Sequence, residues 1–267
     1  MTQNDPKTPK NKSNMSEQIE KDKIEKDKIY NCDCLEGMKH IPNASIDAII
    51  CDLPYGTTAC EWDTIIPFDQ LWEQYKRIRK PNTPIILFGS EPFSTTLRMS
   101  NLREFRYDWI WNKSKGFGFL NANKMPLKSH EIVSVFYKEL PTYNPQFTKG
   151  EPYKMKGGQP LNGNVLTSMR STIDNEGTRY PVSIIDIPKI LNDCWHPTQK
   201  PVDLLRYLIR TYSNEGDTIL DNCMGSGTTA VACIKEKRHF IGFELNKDYY
   251  DKACRRIDAE RRQLSLF

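Results

Sequence analysis

Thr218-Ile219-Leu220-Asp221-Asn222-Cys223-Met224-Gly225-Ser226-Gly227-Thr228-Thr229 sets an apolar strand against a glycine turn and the start of a helix of small and apolar residues. Gly225 and Gly227 allow a tight turn and a close approach of backbone to ligand. The helix beginning near Thr228 directs unpaired N–H groups at any carboxylate or phosphate placed there. The next apolar run ends at Glu244, seventeen residues beyond Gly227, where a doubly wound fold puts an acid on a ribose diol. The lysine that closes a Walker phosphate loop is absent, with Thr228 in its place. A purely structural strand-to-helix turn stays open as the alternative at this point.

Working outward, short apolar runs bounded by turn residues mark candidate strands at 28–32, 48–51, 84–88, 107–111, 132–137, 218–220 and 239–243. Helical patterns fall between several of them, at 68–79, 201–212, 228–235 and 249–262. That alternation predicts an α/β fold, a mostly parallel, doubly wound sheet of seven strands covered on both faces. At 267 residues the chain can bury one substantial core with an insertion. Residues 1–28 read as a flexible hydrophilic tail, and 263–267 as a short C-terminal tail. The stretch 140–191, rich in Pro, Gly, Asn, Ser and Thr, is too long for an ordinary connection and reads as an inserted module. It separates one half of the main domain, 29–139, from the other, 192–262.

A second element sits at a strand end. Ile46-Asp47-Ala48-Ile49-Ile50-Cys51 runs into Asp52-Leu53-Pro54-Tyr55-Gly56, a polar and rigid tip of the kind that meets ligands in open α/β sheets. Pro54 fixes its own φ and pushes Leu53 away from the helical region, so the Leu53 carbonyl and the Asp52 carboxylate can face one target. Two acceptors gripping the hydrogens of an aromatic amine draw its nitrogen towards a tetrahedral, nucleophilic geometry, while Tyr55 offers a stacking face. Without the glycine loop, a turn that merely caps a strand explains the same residues. Catalytic candidates are therefore Asp52, Leu53, Pro54 and Tyr55.

Bulk properties exclude more than they assert. Apolar residues make up 38%, and no run is long enough for a membrane span or an export signal, so the expected place is the cytoplasm. Most of the eight cysteines lie in apolar runs and read as buried free thiols; Cys32 and Cys34 lack a second pair at zinc spacing, and no metal is expected. The net charge of +4 does not announce nucleic acid. Local charge is more telling, because 112–128 carries Lys113, Lys115, Lys124 and Lys128 with no acid, interleaved with Phe117 and Phe119. These six residues are the DNA-binding candidates, with a solvated surface loop as the plain alternative.

The order of the two elements, Asp52-Leu53-Pro54-Tyr55 before Asp221 to Thr228, resembles the β class of amino-group DNA methyltransferases, a circularly permuted form of the class I methyltransferase fold. His196-Pro197-Thr198-Gln199-Lys200-Pro201 is similar to that family's tenth motif, which helps hold the methionine end of the cofactor. The resemblance implies S-adenosylmethionine as donor and double-stranded DNA as acceptor. It also implies cofactor contacts from Asp33, Cys34, Asp52, Pro54, His196, Thr198, Lys200, Asp221, Gly225, Ser226, Gly227, Thr228, Thr229 and Glu244. Asp33 matches the acid near the cofactor's adenine, Glu244 the ribose ligand, and Asp221 the group near the methionine amine. By the same resemblance 140–191 is the target-recognition region. Two departures are visible: the family often has Pro-Phe where Asn222-Cys223 stand, and a second proline where Leu53 stands.

The implied reaction is a site-specific, adenine-N6 DNA methylation in which the base is flipped out of the duplex and held by Asp52 and the Leu53 carbonyl. N4-cytosine methylation is the rival within the same chemistry, and cytosine members more often begin the tetrapeptide with Ser. RNA or protein-amide methylation usually places the glycine loop first. An inactive DNA-binding subunit would predict loss of the acids or glycines, all of which are present. A second copy of the chain and a cognate restriction enzyme are partners on which the sequence is silent.

Overall fold

Along the central strands, successive side chains enter two different cores, and this forces helices onto both faces of one sheet. The computed structural model describes residues 24–57, 63–155, 173–190 and 194–264. In β2 (Ala48–Cys51), Ala48 and Ile50 join one cluster, and Ile49 and Cys51 join the other. β3 (Ile85–Gly89) divides in the same way, Ile86 and Phe88 against Ile85 and Leu87. So do Ile219 and Leu220 of β11 (Thr218–Asp221), and Phe240 and Ile241 of β12 (His239–Phe243).

With β1 (Lys28–Tyr30), β4 (Phe105–Phe117), β5 (Lys128–Phe136) and β10 (Ile184–Asp186), these form an eight-stranded sheet. Its order is β1-β12-β11-β2-β3-β5-β4-β10. β5 runs antiparallel to both of its neighbours, and the other pairings are parallel. One face is covered by α1 (Cys34–Lys39), α2 (Phe68–Ile78) and α3 (Phe93–Ser100), whose Met38, Leu71, Trp72, Tyr75, Ile78 and Leu97 are buried together. The other carries α4 (Val202–Tyr212), α5 (Thr228–Lys235) and α6 (Lys247–Leu264). In α4 the buried Leu204, Leu205, Leu208, Ile209 and Tyr212 recur at helical spacing, the apolar stripe that docks it on the sheet.

The topology turns on β2 and β11, which lie side by side with Ile219 opposite Ala48 and Leu220 opposite Ile49. The chain leaves β2 through α2 to β3 on one side, and leaves β11 through α5 to β12 on the other. Two crossovers that diverge from adjacent parallel strands open a crevice at the carboxyl ends of those strands. Away from it, the sheet's flank is tied by a buried ion pair. Arg79 Nη1 and Nη2 each donate to a Glu104 oxygen at 2.7 Å, joining the end of α2 to the start of β4.

The sheet departs from the expected seven strands. Its added strand, β10, lies within the stretch read as an insertion, where Ile185 is buried against β4 and Asn112 Nδ2 donates to Asp186 Oδ1 at 2.7 Å. β4 and β5 also reach into the expected basic loop, so that Phe117 pairs with Lys128 and only a short tip around Phe119–Asn121 connects them. α1 and α3 were not expected. The hydrophilic tail lies outside the described residues up to residue 23. Its last residues pack against the sheet: Lys28 begins β1, Ile24 is buried, and Asp27 accepts from His239 Nδ1 at 2.7 Å. Of the C-terminal tail, α6 includes 263 and 264, and the rest falls outside the described residues.

The described residues of Met1–Tyr143 and Ser183–Phe267 form one compact unit, and those of Asn144–Val182 another. The second holds two short antiparallel ladders, β6 (Thr148–Lys149) with β9 (Thr178–Arg179) and β7 (Tyr153–Met155) with β8 (Ile173–Asn175). Within it, the rings of Phe147 and Tyr180 pack edge to face at 4.8 Å.

Candidate active site

A cavity of about 420 Å³ occupies the crevice at the carboxyl ends of β2, β11 and β12, within the roughly 300–1,000 Å³ usual for small-molecule sites. Asp52, Leu53, Pro54 and Tyr55 all line it, as do Asp221, Gly225, Ser226, Thr228, Thr229 and Glu244. Asp33 and Cys34 line it from the end of β1, and His196, Thr198 and Lys200 from the segment entering α4.

Each wall is held by local chemistry. After the tetrapeptide, the Asp63 carboxylate accepts from the backbone N–H groups of Tyr55 (2.7 Å), Gly56 (2.9 Å) and Thr57 (2.9 Å), which fixes the turn. Gly56 has φ +66°, and a Cβ there would stand 2.9 Å from Ile65 Cγ1. The Tyr55 ring stacks on Phe93 at 4.9 Å, and its hydroxyl donates to Asp52 Oδ1 at 2.6 Å. The other Asp52 oxygen, Oδ2, accepts from Lys200 Nζ. Burial pushes the Asp52 carboxyl above the usual carboxylate range, against the pull of Lys200. Burial also pushes the Tyr55 phenol up, with the negative charge of Asp52 acting the same way.

On the glycine side, Glu244 at the end of β12 accepts from Gly225 N and Asn246 N, both at 2.8 Å. Its pKa is raised by burial, which these two bonds oppose. Gly225, at φ +52°, leaves room for His196, whose Nε2 would be 3.4 Å from an added Cβ. The His196 ring rests on Tyr249 at 4.3 Å, and burial, then Lys200 and Lys252, hold its pKa down at about 4. Asp221 accepts from Cys223 N at 3.1 Å and from Thr229 Oγ1 at 2.6 Å, and burial lifts its carboxyl to about 6. Asn222, at one of the departures from Pro-Phe, accepts through Oδ1 from the buried Tyr75 hydroxyl at 2.5 Å, which ties the loop to α2.

Some expected residues are placed differently. Gly227 does not line the cavity: at φ +75° it begins α5, and a Cβ there would meet Ala253 Cβ at 3.2 Å, so close helix packing explains it. The Thr228 hydroxyl is engaged by Ser226 Oγ at 2.8 Å and by Arg256 at 2.9 Å. None of the six DNA-binding candidates lines this cavity. Lys113 is not a surface cation, being buried and paired with Glu131 at 2.6 Å. Phe117 is half-buried and Lys128 reaches Ser90 Oγ, whereas Lys115, Phe119 and Lys124 are exposed.

The sequence reading missed Asp63, Glu131, Lys189, Gln199 and Arg256. Gln199 sits inside the quoted His-Pro-Thr-Gln-Lys-Pro motif, and its Oε1 is buried on the cavity wall with no hydrogen-bond partner among the described residues. Lys189 lines the cavity too, and its ammonium lies 5.1 Å from the centre of the Phe117 ring.

A doubly wound sheet with this crevice at its switch point is the class I methyltransferase architecture. The N6/N4 DNA methylase family model matches residues 46–255, most of the chain, and the protein belongs to that family. It is 29% identical over 247 residues to the type II methyltransferase M.HpaI of Haemophilus parainfluenzae, covering 85% of this chain and 72% of the relative. It is also 29% identical over 256 residues to the DNA adenine methyltransferase YhdJ of Escherichia coli K12, covering 86% and 82%. Among solved structures, the M1.HpyAVI–SAM complex aligns with a TM-score of 0.59 at 25% identity, over 86% of this chain and 98% of that one. The cytosine-N4-specific PvuII methyltransferase aligns at 0.62 with 17% identity, over 85% and 84%, a likeness of fold.

Asp221 provides a test of the site's electrostatics. Its folded pKa, about 6, lies above the ordinary carboxylate value, so the native state binds the extra proton. Between about pH 4 and pH 6 that contribution to stability is lost as pH rises, on the order of 2–3 kcal/mol. Urea denaturation of wild type and Asp221→Asn across this window is expected to show the difference moving in favour of the Asn variant with rising pH. A constant difference would contradict the assignment.

Proposed function

We propose that this DNA methyltransferase of the N6/N4 family transfers the methyl group of S-adenosylmethionine to the N6 amino group of adenine in double-stranded DNA. The observation that carries the reading is the shared cavity: the Asp52 tip of β2 and the Gly225 turn of β11 open onto one space. An amine held by the first then lies beside a donor held by the second.

The residues present suit the donor. It combines a nucleoside with a charged amino acid, and the cavity offers a matching acid for each part. Glu244, oriented by two backbone N–H groups, would hold the ribose diol. Asp221, a buried carboxylate raised to about 6, would gain a cation in the donor's ammonium. Gln199 Oε1, which has no hydrogen-bond partner among the described residues, would accept a further donor hydrogen, and Asp33 and Cys34, on the same cavity wall, would border the adenine end. When bound, S-adenosylmethionine supplies a methyl group activated by its sulfonium.

The chain's own residues then do the positioning. Asp52 and the Leu53 carbonyl grip the two hydrogens of a flipped adenine amine, and Asp52 stabilises the positive charge that grows on nitrogen and takes up its proton. A raised carboxyl pKa suits that last step, since it makes Asp52 a better base. Tyr55, backed by Phe93, fixes the carboxylate through its hydroxyl. Adenine is favoured over cytosine by the leading Asp of the tetrapeptide and by the likeness to the adenine enzyme YhdJ. On the same reading, 140–191 reads the target sequence, and work on chromosomal or phage DNA puts the protein in the cytoplasm.

Asp52→Ala is expected to abolish tritium transfer from labelled donor while calorimetry finds donor affinity within about threefold of wild type; transfer at the wild-type rate would refute Asp52 as the catalytic carboxylate. Nucleoside mass spectrometry of host DNA after expression is expected to find N6-methyladenine, and N4-methylcytosine alone would reassign the base. At the exposed hairpin tip, replacing Lys115 and Lys124 together by Ala is expected to weaken DNA binding. The slope of log affinity against log salt should fall by about two. An unchanged slope would remove the tip from the DNA interface.

A further inference from the structure

Lys200 stands between two carboxylates. Its Nζ donates to Asp52 Oδ2 and lies 3.2 Å from Glu131 Oε2. That second contact lacks hydrogen-bond alignment, and Glu131 Oε2 is buried with no hydrogen-bond partner among the described residues. The other oxygen of Glu131 is taken by Lys113 at 2.6 Å.

This arrangement creates a conflict at the catalytic carboxylate. Each Asp52 oxygen already accepts one hydrogen bond, Oδ1 from the Tyr55 hydroxyl and Oδ2 from Lys200, so an amine arriving at Oδ2 would share that atom with an ammonium. An adenine amine needs one of those acceptors, and the positive charge that develops on its nitrogen is repelled by an ammonium standing beside it. Lys200 therefore has to move away from Asp52 as the base enters. A buried ammonium cannot move into apolar surroundings without a large penalty, so it needs another acid within reach. Glu131 Oε2 is such an acid, already in ionic contact and short of a hydrogen bond. A rotation of the last torsions of the lysine stem exchanges one ion pair for the other.

We propose that Glu131 is a positioning residue that receives Lys200 when the target base enters, freeing Asp52 Oδ2 for the amine. The proposal rests on the reading, given above, of Asp52 as the carboxylate that grips the amine and takes its proton. Lys113 has a fixed part in it: by holding Oε1, it aims Oε2 at Lys200.

Single-turnover methyl transfer to duplex DNA at saturating donor, with the full chain, tests this. Glu131→Gln leaves Lys200 on Asp52, and its rate is expected to fall about tenfold or more while donor Kd and DNA Kd stay within about threefold. Adding Lys200→Met removes the blocking cation, so the double variant is expected to match Lys200→Met alone and to outpace Glu131→Gln. Glu131→Asp, which keeps the charge but retracts it, is expected to lie between wild type and Glu131→Gln, and it serves if the Gln variant does not fold. A Glu131→Gln rate within about threefold of wild type overturns the proposal. So does a double variant slower than Lys200→Met by the full factor that Glu131→Gln costs alone. Asp52→Asn, run alongside, separates the two readings: wild-type transfer in that variant removes Asp52 from catalysis whatever Glu131 does.

Discussion

The parallel pairing of β11 with β2 is the constraint on which the site depends. Because crossovers leave these adjacent strands in opposite directions, a cavity opens at their carboxyl ends, and the chain segments leaving them face each other across it. Residues 169 positions apart in sequence, Asp52 and Asp221, are brought to one cavity by that pairing. Apolar alternation along the strands fixes their register, since a slip of one residue would turn Ile49 and Leu220 from one core to the other. The chemistry is thus positioned by the two cores.

Those acids are kept in place at an electrostatic cost. Asp52, Glu131, Lys113 and Lys200 are drawn from β2, β5, β4 and the segment before α4, and they neutralise one another in a chain of ion pairs. Burial raises Asp52, whereas Glu131, which burial also opposes, is held down to about 2 by Lys200 and Lys113. Two carboxylates a few ångströms apart therefore differ in basicity because one shares a cation and the other has two. A site built this way keeps one acid ready to take a proton and the other permanently ionised.

Legibility in the sequence followed the range of the interactions concerned. The bounds of β2, β12 and α5 are those expected, because a run of apolar residues between turn signals is a local property. The residues of the Asp-Leu-Pro-Tyr and Gly-Ser-Gly elements point to chemistry for the same reason. α1 escaped notice because it is six residues long and depends on the Asp33 side chain accepting from Leu35 N and Glu36 N. β10 was hidden in a stretch rich in turn formers, since a three-residue edge strand draws its stability from its neighbour. Lys113 was misread as a surface charge because its partner Glu131 arrives from the opposite strand of a hairpin, and no local count of charges sees it. Asp63 was missed because the backbone groups it captures, six to eight residues back, take their positions from the turn and not from residue type, and Arg256 because the Ser226 carbonyl it holds is brought close only by the fold.

If the Asp52 tip and the glycine turn form one reaction site, then adenine and methyl donor must bind side by side. A bisubstrate compound, adenine joined through N6 by a short bridge to a donor in which nitrogen replaces the sulfonium, tests that most directly by calorimetry. The account predicts binding at least about tenfold tighter than that of the unlinked donor analogue, because the second contact becomes intramolecular. Binding no tighter than the donor analogue alone would mean that the two elements do not serve one reaction, and would contradict the account.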